Sequence, residues 1–175
     1  MNFRKLFLIA IIFLTCGCHA KLLQIEHFLE SASKFVIKHE YEAARHLYEK
    51  ASDAGSAEAK HFIAWMHEEG KGVEKNYDKS LEWYHEAARG GYKDSQHRLG
   101  DIYYRGQGVE KDSAKAFYWY KKAAEQGHAD AQYEVAEMHR EGVGAKQDKA
   151  EAKKWYQKAS ERGHLRAKMR LGKIK

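Results

Sequence analysis

Apolar and charged side chains alternate at a helical spacing through the middle of the chain. Between Asp112 and Gly127 the apolar residues follow one another at intervals of three and four: Ala116, Trp119, Tyr120, Ala123 and Ala124. This spacing places them on one stripe of an α-helix. Asp112 can accept hydrogen bonds from the first turn, and Gly127 can end the helix in a left-handed conformation. We therefore predict a helix, called helix B, from Asp112 to about Glu125.

A second apolar stripe follows, and we call its helix A. It contains Ala131, Val135, Met138 and His139 and stops at Gly142. Equivalent stripes occur earlier, first at Ala59, Ile63, Met66 and His67, and then at Ser95, Leu99, Ile102 and Tyr103. One structural unit is therefore expected to be a pair of helices, A followed by B.

The unit recurs with a fixed offset of 36 residues, as the positions of its Trp-Tyr pair show. The pairs are Trp83-Tyr84, Trp119-Tyr120 and Trp155-Tyr156, and Leu47-Tyr48 takes the same place in a degenerate first unit. A period of this length is typical of a stacked helical array, which is an all-α fold. We predict a degenerate N-terminal repeat at 21–55, repeats at 56–91, 92–127 and 128–163, and a terminal helix at 164–175.

Small residues alternate with the large ones in a fixed pattern. They are Ala64, Gly100, Ala136 and Gly172, which are expected to let neighbouring helices approach closely, while each Trp-Tyr pair fills the gap between successive helix pairs.

The residues from Gly106 to Gln132 carry the pattern G-x-G-V, then D-x-x-K-A, then W-Y-x-K-A-A-x-Q-G-H-A-D-A-Q. This pattern resembles the Sel-one-like repeat, a relative of the tetratricopeptide repeat, and the resemblance extends from about Tyr41 onward. It implies a right-handed superhelix (α-solenoid) of antiparallel helix pairs that acts as an adaptor for other proteins. Some exported relatives carry a disulfide in each repeat, and this chain has no cysteines in its repeats.

Residues 1–20 form a different kind of segment, in which Arg4 and Lys5 precede a short apolar run that ends in small residues. This order is typical of an export signal. The segment up to Cys18 resembles a bacterial lipobox, which would make Cys18 a lipidation site, whereas cleavage after Ala20 would release a soluble chain. We favour Cys18. His19 is not the Asp that, by the same resemblance, keeps lipoproteins at the inner membrane, so an outer-membrane anchor facing the periplasm is expected.

The composition limits the partners. Removing Arg4 and Lys5 leaves 29 basic and 25 acidic residues, a formal charge of +4 in which both signs occur along the helices. This is weak support for an anionic partner, and nucleic acid conflicts with export. We expect a protein partner, no nucleic acid, contact with the membrane only through a lipid anchor, and a monomer.

No constellation in the sequence favours catalysis. The loop Gly70-Lys71-Gly72 and its repeat at Gly106 lack the strand and the Lys-Ser/Thr pair of a phosphate loop. The eleven histidines show no metal-binding spacing on any helix, and several occupy equivalent positions of the repeat. We expect no enzyme activity, no catalytic residue, no metal and no cofactor.

The candidate binding residues lie on helix A opposite its apolar stripe, about halfway around the helix from residues such as Ile63. They change from one repeat to the next, are expected to be exposed, and include aromatic and Arg side chains typical of binding hot spots: His61, Trp65, His97, Asp101, Tyr104, Tyr133 and Arg140. The alternative for Trp65 is that it packs under the N-terminal helix.

Three functions remain open at this stage. The first is a non-enzymatic adaptor of the bacterial cell envelope that binds a polypeptide along the groove of the A helices. The second is a periplasmic immunity protein that neutralises a secreted toxin such as a phospholipase. The third, which we favour least, is an enzyme that binds or hydrolyses β-lactams.

Overall fold

A computed structural model describes the backbone of residues 3–173 and the side chains of residues 19–173. Within this part the secondary structure is entirely helical, in the order α1 Phe3–Ile37, α2 Tyr41–Asp53, α3 Ala57–Glu69, α4 Tyr77–Arg89, α5 Lys93–Arg105, α6 Ser113–Glu125, α7 Ala129–Glu141, α8 Lys149–Glu161 and α9 Leu165–Leu171. The odd-numbered helices are A helices and the even-numbered ones are B helices. Consecutive helices pack as pairs, and the predicted all-α solenoid is confirmed.

The helix ends follow from local chemistry. The side chain of Asp112 accepts a hydrogen bond from the N–H of Lys115 at 2.9 Å, and Asp148 caps α8 in the same way. The B helix α6 ends at Glu125, and Gly127 follows with φ +83°. A residue without a side-chain carbon adopts this left-handed conformation without steric cost, so the chain turns there into the next A helix.

The core contains one tyrosine column with the period of the sequence repeat. Its members are at most 2% exposed: Tyr48, Tyr84, Tyr120 and Tyr156. Small buried alanines surround the column and allow the A and B helices to pack closely. The neighbouring tryptophans are less uniform, since Trp155 is buried whereas Trp83 and Trp119 are half-buried. Trp119 contacts His85 edge-on at 5.7 Å between ring centres and so links two successive B helices.

Three of the four small residues predicted to allow close approach of helices lie in tightly packed positions, and one does not. A Cβ atom added to Gly100 would lie 2.4 Å from Cδ1 of Tyr120, so the ring occupies the space that any larger residue would need. Ala64 and Ala136 are fully buried. Gly172 does not fit the prediction, because an added Cβ would meet nothing closer than the Met169 carbonyl at 3.7 Å. The α9 helix has no packed neighbour at that position among the described residues.

The N-terminal segment belongs to α1. The structure describes only its backbone up to residue 18, so the predicted lipidation site at Cys18 lies outside the described side chains. Among the residues that the structure describes, every helix is too short or too polar to cross a membrane.

Candidate functional site

The A helices α3, α5, α7 and α9 are linked side by side by contacts between their side chains, and we call their shared surface the A-helix face. The residues predicted to bind a partner all lie on these helices. Their expected exposure is wrong: Tyr133 is buried, and the others are half-buried, namely His61, Trp65, His97, Asp101, Tyr104 and Arg140. The physical reason is that each A helix is flanked by other A helices, so the side opposite its own apolar stripe still meets neighbouring residues.

One part of this burial comes from ring contacts between repeats, which are tilted in the first pair and stacked in the other two. A ring on each of α3, α5 and α7 contacts the ring of the residue at the N-terminal cap of the next A helix. The centroid distances are 5.0 Å for His61 and Tyr92, 4.4 Å for His97 and His128, and 4.5 Å for Tyr133 and His164. Burial lowers the pKa of His61 to about 4 and also lowers the pKa of His97. These residues therefore hold successive repeats together as uncharged rings at neutral pH.

Trp65 belongs to the N-terminal packing. Its ring meets Tyr41 of α2 edge-on at 6.2 Å and is part of the cluster around Tyr48. The structure thus places it as the alternative interpretation expected, against the degenerate first repeat. Tyr104 lies beneath the ammonium group of Lys111 at 5.5 Å, and Arg140 is paired with Glu137 and Glu141 on its own helix.

The A helices also supply a carboxylate to three of the four buried tyrosines of the B helices. The hydroxyl groups donate over 2.7 Å from Tyr84 to Glu68, 2.7 Å from Tyr120 to Asp101, and 2.5 Å from Tyr156 to Glu137. A buried hydroxyl needs such a partner, because an unpaired polar group costs about 1–3 kcal/mol. These carboxylates are therefore fixed in place beneath the A-helix face.

Two of the three carboxylates are neutralised by an arginine from the next A helix. Arg98 of α5 pairs with Glu68 of α3, and Arg170 of α9 donates to Glu137 of α7 at 2.9 Å. Burial alone would raise the pKa of Glu68, but hydrogen bonds from Arg98 and Tyr84 outweigh it and lower the pKa. We call each of the three carboxylates, together with the residue at the arginine position of the next A helix, a rung.

The rung between α5 and α7 is different. Its carboxylate is Asp101, and the residue of α7 equivalent to Arg98 and Arg170 is Glu134. Burial, together with the charges of Asp101 and Glu137, raises the pKa of Glu134 to about 7. Within the described side chains, no cation lies within 4.0 Å of the Glu134 carboxylate. Asp101 itself makes longer ion contacts on its own helix α5, at 3.8 Å to His97 and 3.9 Å to Arg98.

A cleft of about 490 Å³ lies at this rung. It is formed by α5, α7 and the start of α9, and its lining residues are His97, Asp101, Arg105, Asp130, Tyr133, Glu134, Gly163, His164, Leu165 and Arg166. The cleft brings together three of the predicted site residues: His97, Asp101 and Tyr133. His61, Trp65, Tyr104 and Arg140 lie outside it.

Sequence reasoning missed the residues that form the rungs, Arg98, Glu134 and Arg170. A signal was present, since these residues lie 36 positions apart and their charge changes from positive to negative and back. The predicted binding residues lie directly opposite the apolar stripe of helix A, a side that Arg98, Glu134 and Arg170 do not occupy.

A larger cleft of about 780 Å³ lies on another side of the molecule, between α2, α3 and α4. Charged groups in it are already paired within the chain, since Glu86 binds Lys60 at 3.1 Å and Arg89 at 3.2 Å. Among the described residues, no group of three or more His, Cys, Asp and Glu side chains is arranged to hold a metal ion.

Comparisons with known proteins agree with this architecture. The model of the Sel1 repeat matches residues 29–56, 57–92, 93–128 and 129–164. A Sel1 repeat protein from Oxalobacter formigenes is 36% identical with a TM-score of 0.70, and the match covers 72% of this chain and 95% of that one. A protective antigen of uropathogenic Escherichia coli with an SLR fold is 29% identical with a TM-score of 0.79, covering 86% of this chain and 33% of that one.

A third solved structure, the Helicobacter pylori cysteine rich protein B, is similar in fold. It is 23% identical with a TM-score of 0.55, and the match covers 78% of this chain and 92% of that one. A comparison with curated protein sequences gives no match.

Proposed function

Because the chain belongs to the Sel1 repeat family, whose fold is typical of protein–protein interaction, we propose that it is a non-enzymatic binding protein that holds a partner polypeptide along its A-helix face. One observation carries this proposal. The scaffold positions repeat every 36 residues, whereas the charged residues of the A-helix face change from repeat to repeat and border an open cleft. Residues that vary on a constant scaffold are suited to specify a partner.

The proposed location is the bacterial cell envelope. An export signal at 1–20 with lipid attached to Cys18 would anchor the solenoid to the outer membrane and expose it to the periplasm. Metabolic labelling with a fatty-acid analogue tests this step. We expect labelling to disappear in Cys18→Ala and to persist in the matched control Cys16→Ala. Unlabelled wild-type protein beginning at Lys21 would instead establish cleavage after Ala20.

Site-specific photocrosslinking in the native bacterium tests binding along the A-helix face. A photoreactive phenylalanine analogue replaces Arg105, which is exposed at the rim of the cleft on α5. The matched control replaces Tyr118, which is 53% exposed on the B helix α6. We expect one discrete crosslinked protein from position 105 and none from position 118. Equal crosslinking from both positions, or none from position 105, would contradict the proposal.

The identity of the crosslinked protein distinguishes two roles. A toxin whose activity is lost in a one-to-one complex would establish an immunity protein, and an envelope protein without toxicity would establish an adaptor.

A further inference from the structure

Two of the three rungs of the A-helix face pair a carboxylate with an arginine, and the middle rung does not. At the outer two rungs a carboxylate accepts a tyrosine hydroxyl from its B helix and pairs with an arginine from the next A helix. At the middle rung Asp101 accepts the hydroxyl of Tyr120, but the next A helix presents Glu134. The middle rung thus places two carboxylates, Asp101 and Glu134, along one cleft, whereas each outer rung pairs a carboxylate with an arginine of the next A helix.

This arrangement is unfavourable within the chain alone. Like charges that face each other in a partly desolvated site repel, and Glu134 carries no compensating ion pair among the described side chains. Nothing in the fold requires an acid there, because the equivalent positions on α5 and α9 hold Arg98 and Arg170 in the same helical register. Because no described side chain forms an ion pair with Glu134, this acid is available to a cation from outside the chain.

The surroundings fit a cation that enters from solvent. The cleft of about 490 Å³ at this rung is of the size that holds ligand groups in other proteins. The rings of Tyr133 and His164, stacked at 4.5 Å, form part of its lining. A planar guanidinium pairs well with carboxylates and also packs on such rings.

Two arginines of the chain lie at the edge of the cleft without filling the rung. Arg105 and Arg166 are both exposed, and within the described side chains neither forms an ion pair within 4.0 Å. Their charges act against the rise in the pKa of Glu134, but burial and the neighbouring carboxylates outweigh them. The middle rung thus keeps its excess of negative charge despite these two residues.

We propose that this cleft receives an arginine or lysine side chain of the bound partner, whose cationic group takes the place that Arg98 and Arg170 fill at the neighbouring rungs. The inference rests on the proposed function and gives it a partner chemistry: an extended segment that carries a basic residue. Arginine is the better fit, because its fork can bind Asp101 and Glu134 together.

A peptide titration tests the inference on the full-length chain. The probe is a fluorescent hexa-arginine peptide, and hexa-citrulline, which has the same shape without charge, is the matched peptide. The decisive variant is Glu134→Arg, which supplies the missing cation from the chain itself. Glu82→Arg makes the same change of charge on α4, at an exposed residue outside the A-helix face.

We expect hexa-arginine, and not hexa-citrulline, to bind the wild-type chain. Glu134→Arg should weaken this binding by about 10-fold or more, because one carboxylate is lost and a repelling cation is added. Glu82→Arg should change it less than about 2-fold, as expected for a distant exposed charge. Equal loss in both variants would show general electrostatic attraction and overturn the inference, and so would wild-type binding that does not discriminate the two peptides.

The pH dependence provides a second readout. The titratable and charged groups around Glu134 are His97, Asp101 and Arg105 from α5, Asp130 and Glu137 on α7, and His164 and Arg166 at the start of α9. A cation binds the ionised carboxylate, so wild-type affinity should rise between about pH 6 and about pH 8. Glu134→Gln should remove this rise. A rise of the same size in Glu134→Gln would overturn the assignment of the site.

Failure of this inference can be separated from failure of the proposed function. If photocrosslinking from position 105 still captures the partner in the Glu134→Arg background with undiminished yield, the A-helix face binds the partner but the basic side chain does not occupy this cleft. Loss of the crosslink in Glu134→Arg, with retention in Glu82→Arg, supports the inference.

Discussion

Replacement of Glu134 by Gln should stabilise the chain at neutral and alkaline pH. Burial and two nearby carboxylates raise the pKa of Glu134 to about 7 in the folded state, whereas an unfolded glutamate titrates near 4.5. Between these two values the folded chain binds more protons than the unfolded chain, so its stability falls as the pH rises. Glutamine has the shape of the protonated acid and removes this dependence.

The magnitude follows from the difference in pKa. A rise from about 4.5 to about 7 corresponds to at most ~3 kcal/mol in the free energy of unfolding above pH 7. Glu134 keeps part of its surface in water, which screens the repulsion and reduces the expected gain to about 1–2 kcal/mol. Below about pH 4.5 both states are protonated, and the variant and the wild type should be equally stable.

Urea unfolding followed by circular dichroism at a series of pH values measures this gain. Urea is preferred to guanidinium chloride because it leaves the charges unscreened. Glu82→Gln on the exposed side of α4 is the matched control and should leave the profile unchanged. If the stability difference between Glu134→Gln and wild type is the same at every pH, the carboxylate of Glu134 is not repelled by Asp101. This result would refute the unfavourable pair of carboxylates at the middle rung.

Three further changes test the packing of the solenoid. Gly100→Ala should cost about 1–3 kcal/mol in urea unfolding, because the added carbon would lie 2.4 Å from the Tyr120 ring. The control Gly172→Ala has open space around the added carbon and should be neutral or slightly stabilising. Equal effects of the two substitutions would contradict the close approach at Gly100. Tyr120→Phe should cost about 1–2 kcal/mol, because the half-buried carboxylate of Asp101 loses its hydrogen-bond donor. An unchanged unfolding midpoint would show that this hydrogen bond contributes nothing to stability. Burial lowers the pKa of His61 to about 4, so unfolding takes up a proton between about pH 6.5 and pH 4. His61→Asn should therefore reduce the loss of stability over this range by at most ~3 kcal/mol. The same dependence of stability on pH in the variant and the wild type would contradict this.

The fold was predictable because the same signals for helix start, helix end and packing recur in successive repeats. The cap at Asp112, the stop at Gly127 and the apolar stripe between them recur at a fixed offset, and each feature is local in sequence. Gly172 was mispredicted although it is equivalent to Gly100. Its need for a small residue depends on a tyrosine of a following B helix, and the described part of the chain contains no such helix.

The site was less predictable because a single helix was considered in isolation. The side of a lone amphipathic helix that lies half a turn from the apolar stripe faces solvent, but in a solenoid the same side faces the next A helix. His97 and Tyr133 were therefore expected in solvent and instead stack on the rings that cap the following helices. The change of sign at Glu134 is visible in the sequence, but its opposition to Asp101, 33 residues away, depends on the offset between neighbouring helices.

The solenoid architecture explains why the middle rung, which lacks an arginine, is tolerated. In a solenoid each repeat contacts only its neighbours, so the cost of placing Glu134 against Asp101 is confined to the interface between α5 and α7. The outer rungs, paired by Arg98 and Arg170, keep their own stability. A ligand that binds only the folded state stabilises it by its binding free energy, and the gain is largest where the chain has left a charge uncompensated. The interface that carries an uncompensated charge is therefore the one at which a cationic partner can contribute most, which is why specificity is expected at Glu134 and not in the tyrosine column.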